Sequence, residues 1–152
     1  MSAKKLAAIQ MISGEDVEKN LGETELLVKR AAEDGARLAV LPENFAVFDT
    51  RQLFESGCRE QAEKYISSFV ASLAREHKLW VVAGTISRRD RISGGAVQEG
   101  RVRAACLVVN ELGEEVARYD KIHLFDVEVG DAQGQYRESD SVEPGDRVVV
   151  VD

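Results

Sequence analysis

Apolar runs alternate with segments of helical periodicity in the first part of the chain. Lys5 to Met11 has the composition of a strand, and Ser13 to Asp16 then supplies the hydroxyl and acid that flank a helix start. Residues with apolar or small side chains recur at three- and four-residue spacing from Val17 to Ala31, which predicts a helix with one core-facing stripe. Gly35 can adopt the left-handed conformation that ends a helix.

The second part of the pattern predicts two more helices and two more strands. Leu38 to Leu41 is apolar throughout, which is typical of a strand covered on both faces. A short helix is predicted over Asp49 to Ser56, and a longer one ends near His77. The apolar stripe of the longer helix consists of Ile66, Phe69, Val70 and Leu73. Leu79 to Ile86 is rich in β-branched and aromatic residues and is the clearest strand.

A hairpin is predicted where two strand-like segments flank a turn that contains a glycine. The segments are Arg101 to Asn110 and Glu115 to Tyr119, and the turn is Glu111 to Glu114. Because helices alternate with strands before this hairpin, the predicted fold class is α/β (α+β), a mixed sheet with helices on one face.

The C-terminal part of the chain loses this periodicity. Asp126 to Asp146 contains glycines and many charges without a sustained repeat, which predicts a long loop, and such loops often carry function. Arg147 to Val151 then predicts the start of a new strand. Because a natural domain rarely ends on an uncapped apolar strand, residues 1–152 are expected to be an incomplete domain, the first part of a longer polypeptide.

Composition and charge narrow the classes of function. Of the 152 residues, 44% are hydrophobic and 31% charged, as in one globular domain. The formal net charge of -7 argues against a nucleic-acid partner. No apolar run reaches the roughly 20 residues that span a bilayer, so no membrane partner is expected and the predicted location is the cytoplasm. Arg88 to Arg91, a basic cluster, is interpreted as a solvated turn in preference to a binding patch.

The two cysteines, Cys58 and Cys106, are too few and too far apart for a disulfide framework or a zinc site. Cys106 lies in an apolar strand, where cysteine usually behaves as a small hydrophobic residue. Cys58 lies at a predicted helix junction with no histidine nearby in the sequence. For both residues a structural role is preferred to a catalytic one.

Two charged residues stand at the exits of predicted strands. Glu43 follows the apolar run through Leu41 and Pro42, and Lys121 follows the second hairpin strand. A carboxylate and an ammonium in such places can act as a general base and an electrostatic catalyst for a nucleophile. Two structural alternatives stay open, since Glu43 could begin a helix, whose N-terminus favours an acid, and Lys121 could be a solvated lysine.

Three motifs in order carry a resemblance to a known family. They are Leu41-Pro42-Glu43-Asn44-Phe45, Tyr119 to Asp126, and Arg137-Glu138-Ser139 followed by Pro144-Gly145. Together they resemble the nitrilase, or carbon–nitrogen hydrolase, superfamily. The similarity is greatest to the branch that contains omega-amidases and deaminated glutathione amidases, and it runs through the whole chain.

The resemblance implies a Glu-Lys-Cys triad in a four-layer α-β-β-α sandwich formed when two protomers pack. It makes Glu43 the general base, Lys121 the catalytic lysine and Glu138 the second glutamate beside that lysine. His123 is interpreted as a structural residue of its motif in preference to a general base. The family's cysteine stands in a Gly-x-x-x-Cys-Tyr-Asp pattern that has no match here, and it is expected a short distance beyond Asp152.

These assignments predict an amidase that hydrolyses a small linear carboxamide through a cysteine thioester and releases ammonia. Neither a cofactor nor a metal is implied, and a homodimer or higher homo-oligomer is expected. The chain by itself is expected to be inactive. The alternative is a non-catalytic, half-length module of the same fold that assembles with a partner chain. A flavodoxin-like ligand-binding domain is less favoured, because Gly14 stands among acids where a phosphate would bind.

Overall fold

The sheet at the centre of the structure is mixed and has five strands. A computed structural model describes residues 4–128 and 135–151, and the strands lie in the order β1-β2-β3-β4-β5. The first three pair in parallel, and the last two are antiparallel to their neighbours. The elements are β1 (Lys5–Ala8), α1 (Val17–Glu33), β2 (Ala36–Val40), α2 (Leu53–Glu63), α3 (Tyr65–His77), β3 (Trp80–Arg88), β4 (Arg103–Val109), β5 (Glu115–Asp120), β6 (Asp126–Glu128) and β7 (Gln135–Arg137). The predicted fold class is confirmed, and no helix in these two ranges is long and apolar enough to cross a membrane.

The first helix begins and ends where its sequence predicts. The Asp16 side chain accepts a hydrogen bond from the Lys19 backbone N–H at 3.1 Å, which satisfies a donor that the first turn leaves free. Past the other end, Gly35 has a φ of 84°, a conformation that a side chain would strain. The buried side of the helix includes Leu21 and Val28, as the predicted stripe requires.

The second helical region is longer than the helix predicted over Asp49 to Ser56. A 3-10 turn at Thr50–Gln52 leads directly into α2. Lys64 is left-handed, with a φ of 50°, and separates α2 from α3. The buried carboxylate of Glu60 then accepts hydrogen bonds from backbone N–H groups in the first turn of α3. This cap lies in the preceding helix, so the local sequence before α3 gives no capping signal.

The helices α1 and α3 pack on one face of the sheet and form the main core with it. The sheet contributes Ala39, Val81, Ala83 and Leu107 to this core, and all of them have 0% exposure. Removing such apolar surface from water is the dominant favourable term in folding. This layer therefore fixes the strands whose ends carry the candidate site.

Part of the opposite face of the sheet is apolar and exposed in the described part of the chain. One register row across all five strands consists of small and branched residues: Ala8, Val40, Val82, Val108 and Ala117. Val40 is 39% exposed, and Leu6 on the same face is 71% exposed. The prediction that the second strand is covered on both faces is therefore wrong for the described residues, because α1 and α3 cover only the other face.

The C-terminal part also differs from its prediction. Within the segment predicted as a long loop, β6 pairs with β7 and a 3-10 turn follows at Glu138–Asp140, while residues 129–134 lie outside the described part. The strand predicted at Arg147 to Val151 is wrong, because this segment joins no sheet among the described residues. Val148 and Val150 are 80% and 83% exposed. A valine run favours a strand, but a strand also needs a neighbour for its backbone groups.

The interpretation of Arg88 to Arg91 as a solvated turn holds only in part, because these side chains are partly buried and take part in ion pairs. The Asp90 carboxylate lies 2.8 Å from Arg118 Nη1, and Arg91 donates two hydrogen bonds to Glu143 at 2.7 and 2.9 Å. All residues of the cluster are at least partly buried. The cluster is a set of ion pairs that connects this loop to β5 and to the C-terminal segment, residues 138–151.

Gly84 in β3 stands where no side chain fits. A Cβ there would lie 1.9 Å from the carbonyl oxygen of Pro42, whose backbone leads into Glu43. Gly84→Ala is expected to lower the free energy of unfolding by about 2–3 kcal/mol, measured by urea denaturation. Gly22→Ala in α1 is the control, because its Cβ would meet no atom within 4 Å and should stabilise by ~0.5–1 kcal/mol. Equal effects of the two changes would show that the close approach imposes no constraint.

Candidate active site

Three charged side chains converge beyond the ends of β2, β5 and β7. Lys121 follows β5 directly, Glu43 lies just past β2, and Glu138 begins the 3-10 turn after β7. The Lys121 Nζ atom lies 2.7 Å from Glu43 Oε1 and 2.9 Å from Glu138 Oε2. The structure thus brings together the three residues that the sequence singled out as catalytic candidates.

The three side chains differ in their exposure to water. Lys121 has 23% of its side chain exposed and Glu138 has 19%, whereas Glu43 has 51%. The lysine and the second glutamate therefore form the inner part of the cluster. Glu43 lies at its open side, where a reacting group could reach the carboxylate.

The electrostatic setting of Lys121 favours its charged form. Burial lowers the pKa of Lys121, but its hydrogen bonds and charge interactions with Glu43 and Glu138 raise that pKa by more, so the net pKa lies above the ordinary value. Lys121 is therefore an ammonium at neutral pH. A raised pKa also means that its contribution to stability is fully present at neutral pH and is lost only as the pH rises through the folded-state pKa.

Contacts with β3 hold the turn that carries Glu43. Asn44 has a φ of 52°, a left-handed conformation that asparagine tolerates better than most residues. Its backbone N–H donates to Thr85 Oγ1 at 2.9 Å, and the Thr85 hydroxyl donates to Asn44 Oδ1 at 3.1 Å. Sequence reasoning missed this support, although an asparagine directly after Pro42-Glu43 is the signal that could have indicated a tight turn.

Glu138 is held by a backbone donor as well as by the lysine. Its two oxygens lie 3.1 and 2.9 Å from Lys121 Nζ, and Oε2 also accepts a hydrogen bond from the Phe125 N–H at 2.7 Å. In return, the Glu138 N–H donates to the Phe125 carbonyl at 3.2 Å. The pairing of β6 with β7 brings these two segments side by side. Glu138 is therefore fixed in orientation more firmly than Glu43.

The other candidate residues do not hydrogen-bond to this cluster in the described part of the chain. His123 is exposed. Cys106 is half-buried in β4, and burial raises the pKa of its thiol, which makes it a poor nucleophile. Cys58 lies inside α2 and not at a helix junction, with Sγ 3.3 Å from Arg89 Nη1. Within the same ranges, no group of three or more His, Cys, Asp or Glu residues is placed to hold a metal ion.

The cluster contains two of the parts that acyl transfer needs. The exposed carboxylate of Glu43 can take a proton from a nucleophile, and the ammonium of Lys121 can stabilise negative charge that develops on a substrate oxygen. Glu138 can keep that ammonium charged and oriented. Neither described cysteine is bonded to these groups, so the nucleophile is the part that the described cluster lacks.

A mixed sheet with helices on one face thus places a Glu-Lys-Glu cluster beyond its strand ends. The family described as carbon-nitrogen hydrolase matches residues 5–152. The chain belongs to the carbon–nitrogen hydrolase family, and the resemblance inferred from its three motifs is confirmed.

Several relatives of the chain are named as amidases. It is 31% identical over 152 residues to the deaminated glutathione amidase of Yersinia enterocolitica, covering 100% of this chain and 51% of the relative. It is 27% identical over 153 residues to omega-amidase NIT2-B of Xenopus laevis, again covering 100% and 51%. The NitFhit protein of C. elegans shares the fold, with a TM-score of 0.76 and 24% identity over 95% of this chain and 34% of that one. The chain spans about half the length of the curated relatives it matches.

Replacing both carboxylates should lower the pKa of Lys121. In the variant Glu43→Gln with Glu138→Gln, burial acts on the ammonium without opposing charges, so the pKa of Lys121 should fall below its value in the unchanged protein. Nuclear magnetic resonance of ¹³C-labelled lysine side chains would follow this titration. Glu25→Gln, which alters an exposed acid on α1, is the control and should leave the Lys121 titration unchanged. An unchanged pKa in the double variant would contradict the charge coupling.

Proposed function

We propose that this chain is the part of an amidase that supplies the general base and the oxyanion-stabilising cation for hydrolysis of a small linear carboxamide. The observation that carries the proposal is the placement of the Lys121 ammonium within hydrogen-bond distance of both Glu43 and Glu138. Membership of the carbon–nitrogen hydrolase family supports it. The nucleophile in this proposal is a cysteine supplied beyond Asp152.

Glu43 acts as the base in both halves of the proposed reaction. It takes the proton of the cysteine thiol, and the thiolate attacks the carbonyl carbon of the amide. The carbon–nitrogen bond then breaks, and the leaving nitrogen takes that proton from Glu43 and departs as ammonia. In the second half Glu43 accepts a proton from water, which attacks the thioester and yields the acid, and the returned proton restores the thiol.

Lys121 stabilises the charge that each attack creates. Attack by the thiolate or by water places negative charge on the former carbonyl oxygen, and a fixed cation lowers the free energy of that state. The raised pKa of Lys121 keeps it protonated at neutral pH, so it stabilises charge and does not donate a proton. Its limited exposure strengthens this effect, because less water screens the interaction.

Glu138 orients the lysine in this proposal. Both of its oxygens lie within 3.1 Å of Lys121 Nζ, and the Phe125 N–H holds one of them in place. It faces the ammonium from a different segment than Glu43 does, which limits the positions that Nζ can take. A contribution of Glu138 to proton transfer is secondary.

The substrate and the assembly are further parts of the proposal. Two relatives are named deaminated glutathione amidase and omega-amidase, which supports a carboxamide at the end of a small acid, such as the side-chain amide of an α-keto acid. The partner is therefore a small molecule and not a nucleic acid or a membrane. The proposed state is a homodimer or higher homo-oligomer in the cytoplasm, and no cofactor or metal takes part.

A non-catalytic module that assembles with another chain is the second candidate. The observation that favours it is the open apolar face of the sheet, where Leu6 is 71% exposed and Val40 is 39% exposed. Reading the gene beyond codon 152 separates the two candidates. A Cys-Tyr-Asp sequence after an apolar strand supports the enzyme, and a stop codon supports the module.

Loss of the base should remove turnover without removing the fold. In the full-length protein, Glu43→Gln is expected to lower kcat for ammonia release from a linear carboxamide by about 100- to 10,000-fold, because glutamine cannot accept the proton. Coupled ammonia detection measures the rate, and circular dichroism checks the fold. Glu25→Gln, on the exposed side of α1, is the matched control and should retain full activity. Full turnover in Glu43→Gln would show that Glu43 is not the general base.

Loss of the cation should also lower turnover, for a different reason. Lys121→Ala in the full-length protein is expected to reduce kcat by about 100- to 1,000-fold, because one fixed donor to the developing oxyanion is lost. Lys29→Ala on the exposed side of α1 is the control for the change of residue type. A Lys121→Ala variant that stays within tenfold of the unchanged enzyme would refute the oxyanion assignment.

A further inference from the structure

A largely buried ion pair lies next to the segment that carries Lys121. Arg103, the first residue of β4, has 9% of its side chain exposed, and Glu143 in the C-terminal segment has 13%. Arg103 Nη2 donates to Glu143 Oε1, and Arg103 Nη1 donates to the carbonyl oxygen of Pro144. The two contacts together fasten the C-terminal segment to the start of β4.

Glu143 is the centre of this group of contacts. Besides Arg103, its carboxylate accepts two hydrogen bonds from Arg91 at 2.7 and 2.9 Å and one from the Gln98 N–H at 3.1 Å. The hydrogen bond from Arg91 is the main cause that holds the pKa of Glu143 well below its usual range, at about 2, although burial opposes the shift. The carboxylate therefore stays charged, and its ion pairs stay formed, at any pH at which the protein would be assayed.

The backbone of Lys121 lies between the two segments that this ion pair joins. Its N–H donates to the carbonyl of Ala104 at 2.9 Å, and its carbonyl accepts from the Gly145 N–H at 2.8 Å. Ala104 is adjacent to Arg103, and Gly145 is two residues past Glu143. The Lys121 N–H is thus bonded to a residue adjacent to Arg103, and the Lys121 carbonyl is bonded to a residue close to Glu143.

The fit on the Gly145 side is close. A Cβ at Gly145 would lie 2.1 Å from the carbonyl oxygen of Asp120, so the C-terminal segment passes directly against the peptide that precedes Lys121. The buried Asp120 side chain lies 4.0 Å from Arg103 Nη1 and accepts a hydrogen bond from Arg118 at 2.8 Å. Charges on β5 therefore extend the same ion-pair group toward the strand end.

We propose that Arg103 and Glu143 are positioning residues, and that their ion pair clamps the Lys121 backbone so that its ammonium stands between Glu43 and Glu138. The kinetic consequence rests on the function proposed above, whereas the clamp itself is a property of the fold. The same segment carries Glu138, whose carbonyl accepts hydrogen bonds from residues 141 and 142. Loosening the ion pair would therefore move both the lysine and one of its carboxylates.

A buried ion pair is a weak source of stability, because the cost of removing two charges from water offsets much of their attraction. Its geometric specificity is a better explanation for its presence next to a reacting group. A misplacement of a catalytic group by about 1 Å can reduce the rate by about 100-fold. A clamp that costs little stability can therefore have a large effect on kcat.

Two single variants of the full-length protein test the clamp. Glu143→Gln removes the charge with little change in shape, and Arg103→Lys keeps the charge but lacks the fork that reaches both Glu143 and Pro144. Each is expected to lower kcat by about 10- to 100-fold at nearly constant KM. Here kcat is the rate per active site, and the number of active sites is measured as the burst of thioester formation. That normalisation removes any effect of a smaller folded fraction.

A control and a double variant separate positioning from general stability. Glu60→Gln removes another buried carboxylate, whose hydrogen bonds go to the first turn of α3 and not to the site, and it should destabilise the protein but leave normalised kcat within twofold. The double variant Arg103→Met with Glu143→Gln should regain part of the melting temperature that Glu143→Gln loses, because no buried guanidinium is left without its partner. Its kcat should stay low, because the clamp is still absent.

Hydrogen exchange tests the clamp without any assay of activity. In Glu143→Gln, the backbone amides of Lys121 and Gly145 should lose protection by at least tenfold more than the amides of β3. Equal losses in all of these amides, or a normalised kcat within threefold of the unchanged enzyme, would overturn the proposal. If the unchanged protein releases no ammonia, the proposed function fails, and the exchange result still decides whether the clamp exists.

Discussion

The Lys121 ammonium is held by two carboxylates from segments that are far apart in the sequence. The local structure must bring all three side chains to one place. Its Nζ atom must reach Glu43 beyond β2 and Glu138 beyond β7 at the same time. The parallel pairing of β2 with β3 and the antiparallel pairing of β3, β4 and β5 bring these ends together. Burial of the lysine alone would lower its pKa, and its hydrogen bonds and charge interactions with the two carboxylates raise that pKa by more.

The sequence predicts the parts of this structure whose signals are local. The residues that begin and end helix α1 are adjacent to it in the sequence, and the turn of the β4–β5 hairpin lies between its two strands. Both elements therefore form where the sequence predicts them. The three candidate site residues, which lie close together in the structure, were predicted from motifs. By contrast, the break at Lys64 is stabilised by Glu60 from the preceding helix, and the valines after Arg147 lack a neighbouring strand in the described residues. Local periodicity contains no information about either.

The clamp and the turn at Asn44 were beyond sequence reasoning for the same physical reason. Arg103 and Glu143 are 40 residues apart and become partners only through the tertiary structure. Charged residues scattered through a sequence usually indicate a solvated surface, as was inferred for Arg88 to Arg91. Their burial and pairing depend on which backbone segments the topology brings side by side. Motifs therefore indicate the candidate catalytic groups, and the tertiary structure identifies the groups that hold them in place.

One face of the sheet is covered by helices and the other carries exposed apolar residues, so the described structure is amphipathic. One face is sealed by α1 and α3, while the row from Ala8 through Val40 to Ala117 meets water. Apolar patches of this kind promote association and aggregation. A preparation limited to these 152 residues is therefore expected to scatter light increasingly as its concentration rises. A titration of Lys121 measured on such material would report the state of the aggregate as much as the chemistry of the lysine. A dilution series with light scattering is therefore a necessary companion to it.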